Sequence, residues 1–184
     1  MKKRELSGVN LPNLITVLRI LLVPTVVWAI GVGEMELAFW LFLAAGISDG
    51  LDGFIAKRFG LQTELGAYLD PVADKALLVS IYIALAVVEE IPRWVAIAVV
   101  SRDIMIVGAV VLSLVMMKPV AIRPLLVSKL NTAAQIAFAA VVLATAGFGI
   151  SAPQLQSLGL LAVGLLTGLS AAAYLAEWMR HMAN

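Results

Sequence analysis

The sequence predicts an all-α integral membrane protein: one domain, residues 1–184, built as a bundle of six transmembrane helices. Hydrophobic residues make up 62% of the chain and charged residues only 14%, and the mean hydropathy is +1.01. Such a composition is far too apolar for a soluble domain. A bilayer core about 30 Å thick needs about 20 apolar residues per helix, so the chain has length for about six crossings. No length remains for a separate soluble domain.

The first three helices follow from apolar runs that begin after polar or glycine-containing segments. Leu14–Ile30 is an apolar run behind a basic N-terminal segment and predicts the first helix. Leu37–Phe54 predicts the second helix. The charged stretch Lys57–Gly66 predicts a connection, and Ala76–Val88 predicts the apolar part of the third helix.

The last three helices are separated by connections that contain proline or glycine. Trp94–Met117 predicts the fourth helix and follows Glu89–Arg93, which contains a proline. Thr132–Phe148 predicts the fifth and follows Lys118–Lys129, which contains two prolines. Leu158–Met179 predicts the sixth.

Charge along the chain predicts how the helices are oriented. Basic residues concentrate at one set of helix ends: Lys2, Lys3, Arg4, Lys57, Arg58, Lys118, Arg123, Lys129 and Arg180. The opposite ends are acidic apart from one arginine, Arg93. By the positive-inside rule we expect both termini to be cytoplasmic, in a multi-pass protein of the cell inner (cytoplasmic) membrane.

Composition also excludes several kinds of chemistry. The chain has no cysteine, which removes disulfides, thiolate metal sites and cysteine nucleophiles. A single histidine leaves little room for histidine catalysis. With 13 basic and 12 acidic residues the net charge is only +1, and we expect no nucleic-acid partner.

Four aspartates beside the second and third helices are the unusual feature of the sequence. Asp49 and Asp52 are three residues apart, and Asp70 and Asp74 are four apart. On a helix each pair shares one face, and the short connection can bring the two faces together. The small residues Gly53, Ala56 and Gly66 lie among them, which favours a flat or bulky ligand close to the backbone.

Four neighbouring carboxylates at membrane depth need a counter-charge, because a single aspartate there costs about 2.5 to 3.5 kcal/mol and like charges repel. Oxygen ligands favour a hard cation such as Mg²⁺ or Mn²⁺, and two divalent ions would neutralise four carboxylates. Two metals can polarise a phosphorus centre and stabilise a leaving phosphate. The alternative is that these aspartates cap helices, solvate the interface or pair with Lys57, Arg58 and Lys75.

The pattern Asp49-x2-Asp52-Gly53-x2-Ala56, then Gly66-x3-Asp70-x3-Asp74, resembles the signature of the CDP-alcohol phosphotransferases. These membrane enzymes join a CDP-linked alcohol to a second alcohol and release CMP. The resemblance implies a six-helix fold, a homodimer and a polar cavity that opens to the cytoplasm. Lys57 departs from the family, which usually has arginine directly after the alanine; lysine keeps the charge but loses the guanidinium fork.

The resemblance also implies the role of each site residue. All four aspartates would be metal ligands, and Asp74 would in addition be the general base. A hydroxyl whose pKa lies far above neutrality does need a positioned base, which agrees with that role. The substrate-binding residues on the nucleotide side would be Gly53, Ala56, Lys57 and Gly66.

Beyond the signature, the sequence is most similar to the CMP-forming cardiolipin synthases, which use CDP-diacylglycerol and phosphatidylglycerol. The discriminating segment is Ser128–Gln135: phosphatidylglycerophosphate synthases typically have Gly-Lys-x-Lys-Thr there, whereas this chain has Ser128 and Asn131 in place of the glycine and second lysine. One lysine fewer fits a phosphodiester lipid better than the more highly charged glycerol 3-phosphate. Arg123 and Lys129 are candidates for binding the acceptor phosphate, or they anchor the helices at the headgroups.

Arg102 and Asp103 lie within the fourth predicted helix. Because adjacent residues on a helix point apart, we expect each to have a partner on another helix, either in a structural polar lock or in contact with substrate.

Three other functions stay open, one of them a non-catalytic lipid-binding or assembly protein. Phosphatidylglycerophosphate synthase is the alternative within the family. From a different class, intramembrane carboxylates can line a divalent-cation transport path. Here, however, the acids cluster at one membrane face, and no acidic ladder continues across.

Overall fold

The computed structural model describes the backbone of residues 11–59, 64–115 and 125–183. Side chains are described for residues 21–48, 75–109, 112, 113, 115 and 125–182. Within these ranges every regular secondary-structure element is an α-helix, and the rest is turn or irregular. The six helices are α1 (Leu11–Gly31), α2 (Met35–Phe59), α3 (Glu64–Val87), α4 (Arg93–Val115), α5 (Leu126–Phe148) and α6 (Pro153–Ala183). The predicted all-α architecture is confirmed.

Several helices are longer than their apolar runs. Helix α2 continues to Phe59 and α3 begins at Glu64, so most of the predicted connection Lys57–Gly66 is helical. Helix α5 begins at Leu126, six residues before the predicted Thr132. The apolar runs end where the hydrophobicity falls. Lysine, glutamate and leucine are good helix formers, however, so the helical backbone continues through them.

The core forms where all six helices contribute buried apolar side chains. Helix α1 packs against α2 and α3, α5 packs against α2, α3 and α6, and α4 packs against α3 and α6. Fully buried side chains at these contacts include Val26, Ile30, Ile81, Tyr82, Leu85, Val95, Val99, Val142, Leu143 and Val163. The arrangement encloses the middle of α3 and α5; α3 contains the second half of the aspartate signature, and α5 contains the predicted acceptor segment.

Helices α1, α3 and α5 end in the same way. In each, a backbone N–H donates a hydrogen bond to the carbonyl oxygen five residues earlier. The pairs are Glu34 to Ala29 at 2.9 Å, Glu90 to Leu85 at 2.9 Å, and Ile150 to Thr145 at 3.0 Å. This bond requires the preceding residue to adopt a left-handed conformation, for which glycine is the usual choice. Gly33 and Gly149 fill that position in α1 and α5, but Glu89 fills it in α3 with φ 65°.

The outer surface is rich in large apolar side chains. On α6, Leu158, Leu161, Leu165 and Leu169 recur at helical spacing, and each is more than half exposed. Trp28, Trp40 and Trp94 are also exposed. Within the described residues, two helical segments are long and apolar enough to cross a membrane by length and composition, Leu126–Phe148 and Pro153–Met182. These features are consistent with a membrane-embedded helix bundle.

Candidate active site

The predicted metal and nucleotide residues lie in the C-terminal half of α2 and the N-terminal half of α3. Asp49, Asp52, Gly53, Ala56 and Lys57 fall within α2, and Gly66, Asp70 and Asp74 within α3. Both helices are continuous there, so the three-residue and four-residue spacings place each aspartate pair on one helix face. The side chains of residues 49–74 lie outside the described residues, and so does Arg123. The described side chains include no group of three or more acidic or histidine residues placed to hold a metal.

A polar cluster lies directly beyond the last of these aspartates. We call it the Arg102 cluster, and it comprises Lys75, Arg102, Asp103, Ser128 and Ser170. Lys75 follows Asp74 on α3, and its Nζ lies 2.8 Å from Asp103 Oδ1 on α4. The Arg102 Nη1 donates to the same carboxylate oxygen at 2.6 Å. Two cations therefore share one carboxylate oxygen, and the cluster carries a net charge of +1.

Arg102 also contacts three other side chains, on α5 and α6. Its Nε donates to Ser170 Oγ on α6 at 3.1 Å, and its Nη2 donates to the same oxygen at 2.7 Å. Nη2 also donates to Ser128 Oγ on α5 at 2.5 Å. The guanidinium lies 5.6 Å from the centre of the Tyr174 ring, a distance at which a cation is attracted to an aromatic face. Because Arg102 is only 5% exposed, these contacts replace its hydration.

One expectation about Arg102 is wrong and the other is confirmed. Adjacent helical residues were expected to point apart, yet Arg102 and Asp103 pair directly. The arginine side chain is long enough for its guanidinium to reach a neighbouring carboxylate that Lys75 holds from the other side. The predicted partners on other helices are present as well: Ser128 and Ser170 for Arg102, and Lys75 for Asp103.

The segment predicted to discriminate between acceptors contributes a polar stripe on one face of α5, made of Ser128, Asn131 and Gln135. Ser128 meets Arg102, and Asn131, which is fully buried, accepts a hydrogen bond from Thr167 Oγ1 at 3.0 Å. The backbone carbonyl of Gln135 accepts one from Tyr82 Oη at 3.0 Å. Among the described side chains, Asn131 Nδ2 and Gln135 Nε2 are buried without a hydrogen-bond partner. Ser128 and Asn131 thus pack against α4 and α6.

Lys129 is separate from this stripe. It lies in the first turn of α5 and is exposed, whereas its neighbour Ser128 is half-buried. An exposed ammonium at a helix end can bind a phosphate of a lipid headgroup or of an acceptor substrate. Both roles considered for Lys129 therefore remain predictions.

Sequence reasoning did not single out the contribution of α6. Thr167, Ser170 and Tyr174 each contact a polar group on another helix. They recur at spacings of three and four residues within an otherwise apolar stretch of α6, so they share one face. That periodic polar pattern could have predicted a polar face on this part of α6, although not its partners.

Comparisons with known proteins agree with the aspartate signature. A model of the CDP-alcohol phosphatidyltransferase family matches residues 9–175. A Drosophila melanogaster protein named "Probable cardiolipin synthase (CMP-forming)" is 33% identical over 194 aligned positions, covering 95% of this chain and 58% of the relative. The human cardiolipin synthase (CMP-forming) is 32% identical over 155 residues, covering 76% of this chain and 52% of the relative.

Relatives named as phosphatidylglycerophosphate synthases match at similar identity. A Mycobacterium tuberculosis protein named "Probable phosphatidylglycerophosphate synthase" is 35% identical over 115 residues, covering 59% of this chain and 54% of the relative. The chain spans a little over half the length of the curated relatives described here. The match to the family model covers most of the chain, and the relatives are named as synthases. The chain belongs to the CDP-alcohol phosphatidyltransferase family, a family of transferases.

Proposed function

We propose that this protein is a CMP-forming cardiolipin synthase, which transfers the phosphatidyl group of CDP-diacylglycerol to the free hydroxyl of phosphatidylglycerol. The observation that carries the proposal is the placement of the family's aspartate signature on two continuous helices. Asp49 and Asp52 lie within α2, and Asp70 and Asp74 within α3. This supports one acidic face on each helix rather than scattered loop carboxylates.

The four aspartates fit a site for divalent metal ions. They supply only oxygen ligands, which hard cations such as Mg²⁺ and Mn²⁺ prefer. Two such ions, when bound, would polarise the phosphorus centre and stabilise the leaving phosphate. Asp49, Asp52, Asp70 and Asp74 would hold them. Gly53, Ala56 and Gly66 would leave room for the cytidine nucleotide, and Lys57 would add a positive charge beside its phosphates.

The residues of the chain would carry out the transfer as follows. Asp74 accepts the proton of the phosphatidylglycerol hydroxyl, and the resulting oxygen attacks the phosphorus that bears the diacylglycerol. A new P–O bond forms to the acceptor, and the P–O bond to CMP breaks. CMP leaves with the electron pair of that bond. The products are cardiolipin and CMP, and the proton on Asp74 passes to solvent.

The choice of phosphatidylglycerol as acceptor is supported by the surroundings of Asn131 on α5. Asn131 is fully buried there, and its partner is the neutral Thr167. A lysine at this position would require a buried counter-charge. This supports an acceptor that needs fewer cations.

We also propose that all six helices span the membrane, with both termini in the cytoplasm. Every helix has between 21 and 31 residues, enough for a bilayer core about 30 Å thick. An even number of crossings returns the chain to its starting side. The family resemblance leads us to expect a homodimer in the inner membrane.

A paired assay tests the acceptor. The purified full chain is incubated with CDP-diacylglycerol and Mg²⁺, with phosphatidylglycerol in one sample and glycerol 3-phosphate in the other, and CMP and lipid products are followed. We expect cardiolipin in the first sample only. Phosphatidylglycerophosphate in the second would favour the alternative synthase, which is supported by relatives at similar identity. CMP release in neither sample would contradict the proposed activity.

Metal transport is tested separately, because intramembrane carboxylates can also conduct cations. Liposomes that contain the protein and a Mn²⁺-sensitive dye report any flux in the absence of CDP-diacylglycerol. We expect no flux above that of protein-free liposomes. Flux that disappears in Asp49→Ala would instead favour a transport protein.

A further inference from the structure

Asp103 is shared by two cations with different surroundings. Arg102 is buried, whereas the Lys75 side chain is 46% exposed. Both contact the same oxygen of Asp103, at 2.6 Å and 2.8 Å. A half-exposed ion pair adds little to stability by itself, because water screens it. Its geometry is nevertheless defined from the buried side, since Arg102 fixes the position of the carboxylate.

Arg102 is a rigid anchor for that carboxylate. Its guanidinium donates to Ser170 on α6 and to Ser128 on α5, and it contacts the Tyr174 ring. Several hydrogen bonds from one planar group fix its orientation. The Asp103 carboxylate is therefore held relative to α4, α5 and α6 together, and through it the ammonium of Lys75 is held as well.

Lys75 is the member of this cluster that lies next to the aspartate signature in the sequence. It directly follows Asp74 on the continuous helix α3, and Asp70 lies little more than one turn earlier. A helix turns about 100° per residue, so fixing Lys75 fixes the rotation of that turn of α3. Metal-binding constellations must be held to within about 0.5 Å, which requires such support from outside the ligands.

We propose that Arg102 and Asp103 are positioning residues, which set the rotation of α3 through Lys75 and thereby the placement of Asp70 and Asp74. This inference rests on the proposed function, because it assigns those two aspartates to a metal site. Neither of these two residues, nor Lys75, touches substrate in this proposal. Loss of a supporting contact to metal ligands typically weakens metal affinity by about 10- to 100-fold.

Mn²⁺ binding to the purified full chain tests the inference without an activity assay. Free Mn²⁺ is measured by electron paramagnetic resonance with wild type, Asp103→Asn, Lys75→Met and the double variant. We expect each single change to weaken binding by about tenfold. The double variant should be no weaker than the weaker single variant, because both changes break the same link. Lys75→Arg keeps the charge and should bind within about threefold of wild type.

The chain offers a matched control. Glu89, in the turn after α3, and Arg93, the first residue of α4, form an ion pair of the same length, 2.8 Å. Glu89→Gln breaks it and should leave Mn²⁺ affinity unchanged. If Asp103→Asn fails to fold, Lys75→Met alone carries the test, because its side chain is half exposed.

The outcomes separate this inference from the proposed function. Wild-type protein whose Mn²⁺ binding is lost in Asp49→Ala supports the metal site, and unchanged affinity in the Lys75 and Asp103 variants would then overturn the positioning role alone. Losses that add in the double variant would also overturn it. Wild-type protein that binds no Mn²⁺ would contradict the proposed metal site and this inference together.

Discussion

At the scale of single residues, buried polar groups in this bundle differ in whether they have partners. Tyr82 is fully buried and donates to the Gln135 carbonyl, whereas the Gln135 side-chain Nε2 is buried without a partner. A hydrogen bond contributes about 0.5–1.5 kcal/mol net, but an unpaired buried donor costs about 1–3 kcal/mol. Removing the Tyr82 hydroxyl should therefore lower the stability of the protein, whereas removing the Gln135 side-chain amide should not.

We predict that Tyr82→Phe lowers the unfolding free energy by about 1 kcal/mol, because it removes the donor to Gln135. Gln135→Met should be neutral or stabilising, because methionine has a similar shape and removes the unpaired Nε2. Equilibrium unfolding in mixed micelles measures both. A large loss in Gln135→Met would show that its side chain has a partner that this account does not include.

Glu89 gives a second prediction at the residue scale. It adopts φ 65° at the end of α3, where Gly33 and Gly149 stand at the ends of α1 and α5. A left-handed conformation costs a residue with a side chain about 1–2 kcal/mol. Glu89→Gly should therefore raise the unfolding free energy by about 1 kcal/mol, even though the exposed pair with Arg93 is lost.

The control for this prediction is Glu89→Gln, which loses the same ion pair but keeps the side chain. We expect its stability to stay within about 0.5 kcal/mol of wild type, as for other exposed pairs. If Glu89→Gly and Glu89→Gln have equal stabilities, the backbone conformation is not the source of the cost.

At the scale of elements, the packing of α2 on α5 depends on one close approach. A Cβ added to Gly147 would lie 2.6 Å from the backbone nitrogen of Glu36 and 2.7 Å from its Cα. Backbone atoms cannot move aside as the end of a flexible side chain can. The N-terminal turn of α2 is therefore seated directly against the last turn of α5, and α5 also carries the polar stripe of the site.

Gly147→Ala should separate these helix ends and lower the unfolding free energy by about 1–3 kcal/mol, the usual cost of overpacking. Gly108→Ala is the matched control in α4, because an added Cβ there meets nothing within 4 Å. It should be neutral or gain up to about 1 kcal/mol from better helix propensity. Equal effects of the two substitutions would contradict the close packing of α2 on α5.

The helices also show how much of the fold could be predicted from the sequence. Apolar runs located all six helices, because hydrophobicity decides which segments enter the bundle. They missed the first turns of α3 and α5, since a polar helical turn has no hydrophobic signal. The spacing of Asp49, Asp52, Asp70 and Asp74 predicted two acidic helix faces, and both helices are continuous there. The contact between Arg102 and Ser170 joins residues 68 positions apart, and no local pattern predicts it.

At the scale of the whole molecule, the described side chains form an apolar core with several buried polar contacts, and many other large apolar side chains are exposed on the outer surface. Exposed leucines on α6 and exposed tryptophans on α1, α2 and α4 would face lipid or the interface. The Arg102 cluster, in contrast, connects α3, α4, α5 and α6 from within. This division is that expected of a protein whose chemistry takes place between helices at one membrane face.

The orientation can be tested directly, because the chain has no cysteine. Single cysteines are introduced by Glu34→Cys, Ser151→Cys and His181→Cys at exposed sites in two turns and near the end of α6. Intact cells are then treated with a membrane-impermeant maleimide. We predict labelling at positions 34 and 151 but not at 181 until the cells are opened. Labelling at position 181 in intact cells would contradict cytoplasmic termini.

The central claim is that the aspartate signature forms the catalytic centre of a phosphatidyltransferase, and CMP release by Asp74→Ala beside wild type tests it most directly. Purified proteins are supplied with CDP-diacylglycerol, phosphatidylglycerol and Mg²⁺, and thermal unfolding checks that both are folded. We predict CMP release by wild type and a loss of about 10²- to 10⁴-fold in Asp74→Ala, the usual contribution of a general base. A folded Asp74→Ala variant that releases CMP at the wild-type rate would contradict the account.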